Sequence, residues 1–279
     1  MGEARRKQYN RKRFLFAHPR CVYCGALSTT TDHCPPRCFF ESRVWPETYE
    51  FPACEACNAE ARFDEQALAI LVRAELSEIR KEPGQSEWER LLRGVRNNQP
   101  AILAEWQDTS RSGIKRALRE AFGSQGDDMR HRGWGTISLG PLSREAIDRF
   151  MVKLAKALYY RHNEAVFDGV VYAHHVNSLA RDTTPDYIRS MLHMAPEVPV
   201  VERASRSLAD QFIYRFNHSP EHGVMYAVVQ FSEQFIFQLI VLSWTAENHL
   251  SLLARQQGSE KPDSFRHACP LRHGLDVTA

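Results

Sequence analysis

The chain has 279 residues, enough for one large domain or two ordinary ones, and its 43% hydrophobic and 25% charged residues are typical of soluble globular proteins. No apolar run approaches the roughly 20 residues that a membrane-spanning helix needs, and no apolar core follows the first residues as it does in a secretory signal. We therefore expect a cytoplasmic protein without a membrane partner.

The formal net charge of +2 hides an uneven distribution of charge. Residues 1–20 contain seven Lys/Arg and one Glu, a net charge of +6, so the rest of the chain has 29 basic and 33 acidic residues, a net charge of −4. A basic arm of this kind is a natural contact for phosphate groups, although a solvated tail is the alternative. The candidate nucleic-acid contacts in this arm are Arg5, Arg6, Lys7, Arg11, Lys12 and Arg13.

Two Cys-x-x-Cys pairs, Cys21/Cys24 and Cys54/Cys57, are separated by 29 residues. Each pair directs two thiolates to one point, and two pairs supply the four sulfurs of a tetrahedral zinc site with bonds of about 2.3 Å. A disulfide framework would need an oxidising compartment, and a redox pair would accompany a βαβ pattern that this sequence lacks. The spacing therefore predicts structural zinc.

The segment between the two pairs predicts a short strand that ends in polar residues. Residues 29–31 are three threonines, which favour a strand, and Asp32 and His33 follow before a proline pair ends it. Neighbouring side chains of a strand point to opposite faces, so we expect Asp32 and His33 to have different tasks. Cys34 and Cys38 flank the prolines; either could replace a zinc ligand, but we interpret them as small, partly buried residues.

A helix is predicted to begin near Asn58, directly after Cys57. The pattern Cys-x-x-Cys-Gly, Asp-His followed by two prolines, and Cys-x-x-Cys-Asn resembles the HNH, or ββα-metal, endonucleases, in the branch with a four-cysteine zinc knuckle. The resemblance covers roughly residues 18–65. It implies that His33 is a general base that activates water, and that Asp32 and Asn58 hold one catalytic Mg²⁺ or Mn²⁺ apart from the zinc.

This assignment agrees with the chemistry of phosphodiester hydrolysis, which needs a deprotonated water and a cation that stabilises the phosphate charge. Histidine can accept a proton at neutral pH, and oxygen ligands suit Mg²⁺ or Mn²⁺. We therefore predict a metal-dependent endonuclease that acts on DNA, with RNA left open. Arg62, four residues after Asn58, lies on the same helix face and could contact the substrate.

The sequence lacks one residue of the family pattern. Related motifs have an Asn shortly before the second cysteine pair that orients the histidine, but no Asn occurs between His33 and Cys54. Thr48, Tyr49 or Glu50 occupies that place, and the sequence does not decide among them. The alternative function is a non-catalytic zinc knuckle that binds nucleic acid or another protein.

The rest of the chain predicts helices followed by a sheet. Helical patterns cover residues 64–81, 86 onward and 112–122, and the longest amphipathic helix runs from Leu142 to His162. Strands are expected at 169–174, 211–218, 224–231 and 234–243, which indicates an antiparallel sheet and an α+β fold class.

We expect five segments in chain order. They are a basic arm (1–20), the zinc-stapled HNH element (21–63), a helical segment (64–123), a linker (124–136) and a C-terminal α+β domain of unknown role (137–279). The last segment could form a homodimer or bind a protein partner.

Overall fold

Helices and antiparallel strands occur in the α+β arrangement that the sequence predicts. The computed structural model describes residues 3–73, 84–107, 110–131, 139–177, 183–231, 235–256 and 266–270. Its helices are α1 (Glu3–Ala17), α2 (Glu55–Arg73), α3 (Gly84–Asn98), α4 (Pro100–Gln107), α5 (Arg111–Phe122), α6 (Gln125–His131), α7 (Pro141–Asn163), α8 (Pro185–Met194) and α9 (Trp244–Gln256). Its strands are β1 (Thr30–His33), β2 (Glu50–Ala53), β3 (Gly169–Asn177), β4 (Glu202–Arg203), β5 (Arg206–Ser207), β6 (Phe212–Ser219), β7 (Val224–Phe231), β8 (Phe235–Ser243) and β9 (Arg266–Cys269).

The N-terminal part contains two short strands followed by a helix. β1 and β2 pair antiparallel, and the register sets Asp32 opposite Phe51 and His33 opposite Glu50. The threonines that open β1 favour extended backbone because their side chains branch at Cβ. α2 follows β2 directly, and the Thr29 hydroxyl accepts a hydrogen bond from the Glu55 N–H at its first turn (3.2 Å).

The C-terminal part is a five-stranded antiparallel sheet in the order β6-β7-β8-β3-β9. In β6, Phe212, Tyr214 and Phe216 are buried at alternate positions, as the period of a strand with one buried face requires. α7 packs against β3 and β8 on one side and against α2 on the other. Because both sides are covered, α7 buries Lys153 and Lys156 together with its apolar residues.

One continuous core joins the two parts. The ring of Phe39, in the turn after β1, lies 5.0 Å from that of Phe150 in α7 and 5.3 Å from that of Phe231 in β7. The ring of Phe40 lies 6.3 Å from that of Phe212 in β6. The segment boundaries predicted from the sequence stay predictions, but the residues on both sides of them share this core.

Some elements differ from the sequence-based expectation. α6 lies within the predicted linker, where an ion pair between Arg119 and Asp127 (2.6 Å) ties it to α5. β9 was not predicted because four residues carry too little periodicity. Residues 74–81 of the predicted helix over 64–81 lie outside the described part of the chain. None of the helices described combines the length and apolar character that a bilayer span requires.

Candidate functional site

Four cysteines form a cluster at the start of the chain's first hairpin. The Sγ atoms of Cys21, Cys24, Cys54 and Cys57 all lie within 4.8 Å of one another, and those of Cys24 and Cys54 are 3.7 Å apart. Tetrahedral zinc with bonds of about 2.3 Å sets its sulfurs about 3.8 Å apart, so this geometry fits zinc. The structure therefore supports a four-cysteine metal site with the ligands that the spacing predicts.

Local backbone geometry explains how each cysteine pair directs its two thiols towards the centre of the cluster. Gly25 has a φ of 76°, a left-handed conformation that glycine adopts without steric cost, and its N–H donates to the Cys21 carbonyl (2.8 Å). At the second pair, the Cys57 N–H donates to Cys54 Sγ (3.4 Å). Hydrogen bonding from Cys57 lowers the pKa of Cys21 to about 5, whereas the same contact and burial raise the pKa of Cys57. Four ionised thiols would repel one another, and a bound cation removes that repulsion.

The two cysteines that the sequence left ambiguous lie outside this cluster. Cys34 is fully buried in the core, and Cys38 Sγ faces the Glu65 carbonyl (3.7 Å). Burial raises the pKa of both thiols, that of Cys38 to about 12. Both residues therefore fill space as neutral thiols, Cys38 partly buried and Cys34 more deeply buried than the sequence predicts.

The Asp32 carboxylate is buried in a polar cluster on the α2 side of the hairpin. Its Oδ2 accepts a hydrogen bond from the Tyr23 hydroxyl (2.7 Å) and lies 2.6 Å from Lys153 Nζ, while Oδ1 accepts from the His33 N–H (2.9 Å). Lys153 also contacts the Glu65 carboxylate. Burial opposes the charge of Lys153, but the two carboxylates outweigh burial and raise its pKa. Asp32 therefore belongs to a buried ion cluster.

Asn58 has a different set of partners. Its Nδ2 donates to Thr30 Oγ1 (3.5 Å) and to the Thr31 carbonyl (3.4 Å), and Arg11 from α1 donates to the same Thr30 hydroxyl (2.8 Å). Asn58, Arg11 and Arg62 line one cleft of about 450 Å³. The described hydrogen bonds of Asp32 and Asn58 share no partner, and a lysine ammonium contacts the Asp32 oxygen. The Asp32 oxygen Oδ2 is therefore already held by a cation and a hydroxyl, and binding of Mg²⁺ or Mn²⁺ by Asp32 and Asn58 stays a prediction.

The His33 side chain lies opposite that of Glu50, on the face of the β1–β2 hairpin that points away from Asp32. The distance from His33 Nε2 to Glu50 Oε1 is 3.0 Å, and Arg37 Nη2 lies 2.7 Å from the same ring nitrogen. These contacts are alternatives, because Nε2 either donates to Glu50 or accepts from Arg37. The hydrogen bond with His33 lowers the pKa of Glu50. Of the three residues that the sequence left open as partners of the histidine, Glu50 makes the contact.

An arginine–tryptophan stack stands next to His33. The Trp45 ring lies 5.0 Å from the His33 ring at 88°. The guanidinium carbons of Arg37 and Arg203 lie 3.6 Å and 3.9 Å from the Trp45 ring centroid, and Arg203 donates to the Trp45 carbonyl (3.2 Å). No local motif marks Arg37, Trp45 or Arg203, and Arg203 comes from the distant β4–β5 hairpin, so the sequence did not predict this stack.

The basic arm folds as the α1 helix. Arg6, Arg11, Lys12 and Arg13 are exposed on it, whereas the side chains of Arg5 and Lys7 lie outside the described set. Arg11 is the arm residue whose contacts reach β1. Binding of nucleic acid by these residues stays a prediction.

Comparison of this chain with protein-family models, curated proteins and solved structures yields no match.

The buried carboxyl group of Glu65 leads to a prediction about how the stability of the fold depends on pH. Burial raises the pKa of Glu65 from 4.5 to about 7, with Lys153 opposing the shift. Between these pH values the folded state binds more protons than the unfolded state, so Glu65 makes the free energy of unfolding fall as pH rises from about 4.5 to about 7. We expect Glu65→Gln to remove this contribution, which urea unfolding at about pH 5.5 and about pH 7.5 would measure.

Glu145 is a matched control, because it lines the same cleft as Glu65 but is two-thirds exposed. Glu145→Gln should keep the pH dependence of the wild type. An unchanged pH dependence in Glu65→Gln would contradict the prediction.

Proposed function

We propose that the zinc-stapled hairpin and helix hydrolyse phosphodiester bonds in nucleic acid, with DNA as the expected substrate and His33 as the general base. The observation that supports this proposal best is the hydrogen bond of His33 to Glu50, a residue that lines a cleft together with Trp45 and Arg203. A base held in one orientation by a carboxylate is the arrangement that activates nucleophiles in many hydrolases. The function also agrees with the HNH resemblance of residues 18–65.

The two ring nitrogens of His33 have different surroundings. Nε2 faces Glu50 and Arg37, whereas Nδ1 has no hydrogen-bond partner in the described part of the chain. When Nε2 carries the proton and donates it to Glu50, the lone pair of Nδ1 is free to accept a proton from water. Glu50 then fixes the tautomer and stabilises the imidazolium that forms, because its lowered pKa keeps it ionised.

The resemblance also implies Mg²⁺ or Mn²⁺ bound by Asp32 and Asn58. Lys153 and Tyr23 already contact the Asp32 carboxylate. The proposed mechanism therefore assigns no metal-binding role to Asp32 or Asn58. Metal dependence stays a prediction, and activity should be assayed with Mg²⁺, with Mn²⁺ and without added divalent ions. Zinc, held by the four cysteines, supports the fold and takes no part in the reaction.

The test is cleavage of plasmid DNA by purified, zinc-loaded protein. We expect His33→Ala to reduce the rate by about 10²- to 10⁴-fold, the usual contribution of a general base, and Glu50→Gln to reduce it less. His222→Ala is the matched control, because His222 is three-quarters exposed in the turn after β6. Zinc content must be equal in all four proteins. Equal cleavage by wild type and His33→Ala would disprove the role of His33.

The non-catalytic zinc knuckle is supported by one specific observation, the burial of Asp32 against Lys153. A carboxylate held in this way stabilises the fold and needs no further role. This second function predicts DNA binding that weakens with salt and is unchanged in His33→Ala, with no cleavage under any of the three conditions. The cleavage assay therefore separates the two functions.

A further inference from the structure

We infer that Arg37 and Arg203 form a binding site for backbone phosphates of nucleic acid beside His33. The inference rests on the proposed function and adds to it a contribution from the C-terminal part of the chain. Arg203 belongs to the β4–β5 hairpin, which lies far from the HNH-like segment in sequence. The phosphate site is therefore assembled from both parts of the fold.

Two hydrogen bonds hold the β4–β5 hairpin against the loop between β1 and β2. The Glu47 N–H donates to the Glu202 carbonyl, and the Ala204 N–H donates to Glu47 Oε1, both at 2.9 Å. Ala204 and Ser205 have positive φ values of 48° and 63°, as a tight two-residue hairpin turn requires. These contacts fix the backbone of Arg203, so its side chain reaches Trp45 from a defined direction.

The charges around the stack favour an anion. Burial lowers the pKa of Arg37, Glu50 opposes this shift, and Arg43 and Arg203 lie close enough to lower the pKa further. The carboxylates that face this group are Glu47 and Glu50, and each already has another partner: the Ala204 N–H and His33. Arg37 Nη2 is 4.0 Å from Glu50, and Arg37 Nε is buried without a partner in the described residues. Positive charge is therefore left in excess.

Stacking on Trp45 sets the guanidinium groups in place and itself uses no N–H donor. Arg203 uses Nη1 at the Trp45 carbonyl and Arg37 uses Nη2 at His33, and their other donors are left for a ligand. Guanidinium groups present forked N–H donors that match phosphate oxygens, and a stacked group loses little further freedom when it binds.

Arg37 also links the phosphate site to His33. When a phosphate attracts Arg37, Nε2 of His33 is released to donate to Glu50, which is the tautomer that the proposed reaction requires.

The experiment measures binding of a short fluorescein-labelled DNA duplex to the full-length, zinc-loaded protein by anisotropy at several salt concentrations. Divalent ions are omitted, and a gel confirms that the DNA stays intact. Loss of one phosphate contact lowers the slope of log K against log salt by about 0.9. For Arg203→Gln we expect that decrease and an affinity about 3- to 10-fold lower at about 0.1 M salt. Arg203→Lys keeps the charge and should keep most of the slope.

Arg189→Gln is the matched control, since Arg189 is three-quarters exposed on α8 and pairs with Asp186. It should bind as the wild type does. If Arg203→Gln keeps the wild-type slope and affinity, the phosphate site is wrong while the proposed function stands. If Arg203→Gln and Arg203→Lys lose equal affinity and both melt at lower temperature, Arg203 only packs against Trp45, and the inference is again wrong. If the wild type shows no salt-dependent binding, both proposals fail.

Discussion

Replacing Cys21 with alanine is expected to abolish zinc binding and to unfold the N-terminal hairpin. The apparent free energy with which structural zinc binds is about 10–16 kcal/mol, as large as the whole stability of a typical domain. Three remaining thiols cannot complete the tetrahedral site. We expect the zinc content to fall from one ion per chain to near zero and the thermal unfolding midpoint to fall sharply; metal analysis and circular dichroism measure the two effects.

Cys34→Ala is the matched control, because Cys34 is as fully buried as Cys21 but lies outside the metal cluster. It should keep one zinc per chain and lose only about 1 kcal/mol of stability, the typical effect of a single substitution. An equal zinc content in Cys21→Ala and wild type would contradict the ligand set.

Replacing Lys153 with methionine is expected to be the most destabilising single change in the ion cluster. Methionine keeps the aliphatic volume but leaves the Asp32 carboxylate buried without its cation, while Glu65, whose pKa is already raised to about 7, loses the cation that favours its ionised form. Breaking a buried ion pair in this way costs about 3–5 kcal/mol. Urea unfolding of zinc-loaded protein near neutral pH measures the loss.

Lys156→Met is the control for this effect. Lys156 is equally buried one helical turn later, but its Nζ donates to a neutral carbonyl, that of Tyr23 (2.7 Å). We expect a loss of about 1–3 kcal/mol, because one carbonyl is left without a donor. Adding Asp32→Asn and Glu65→Gln to Lys153→Met should restore much of the stability, since no buried charge then remains. Equal losses in Lys153→Met and Lys156→Met would show that charge pairing is not the reason.

The sequence predicts the features of this site that depend on neighbouring residues. The spacing of Cys21, Cys24, Cys54 and Cys57 predicts the metal cluster, because two short turns and one closed loop determine it. The alternation in β6 and the apolar stripe of α7 predict their buried faces for the same reason. Such patterns depend on the period of one element and require no knowledge of what packs against it.

Features that depend on distant residues could not be predicted. The burial of Asp32 depends on Lys153, which comes from α7, and the stack on Trp45 depends on Arg203 from the β4–β5 hairpin. The choice of Glu50 among three candidates needs the register of β1 and β2, which a four-residue strand pair does not specify by pattern. One signal was present in the sequence: two lysines three residues apart, Lys153 and Lys156, stand among the apolar residues of α7, a pattern that indicates buried charge with partners.

The position of α7 between the sheet and the first hairpin limits how this chain can be divided or recombined. A fragment that ended at residue 73 would lose Lys153 and would leave Phe39 and Phe40 without the rings of Phe150 and Phe212. The segment that carries the four-cysteine cluster therefore cannot be transferred by itself to another protein, since its interior is completed by residues that come much later in the sequence. A substitution in α7 or β6 reaches the hairpin through the shared core and through Lys153, so the two parts are constrained to evolve together.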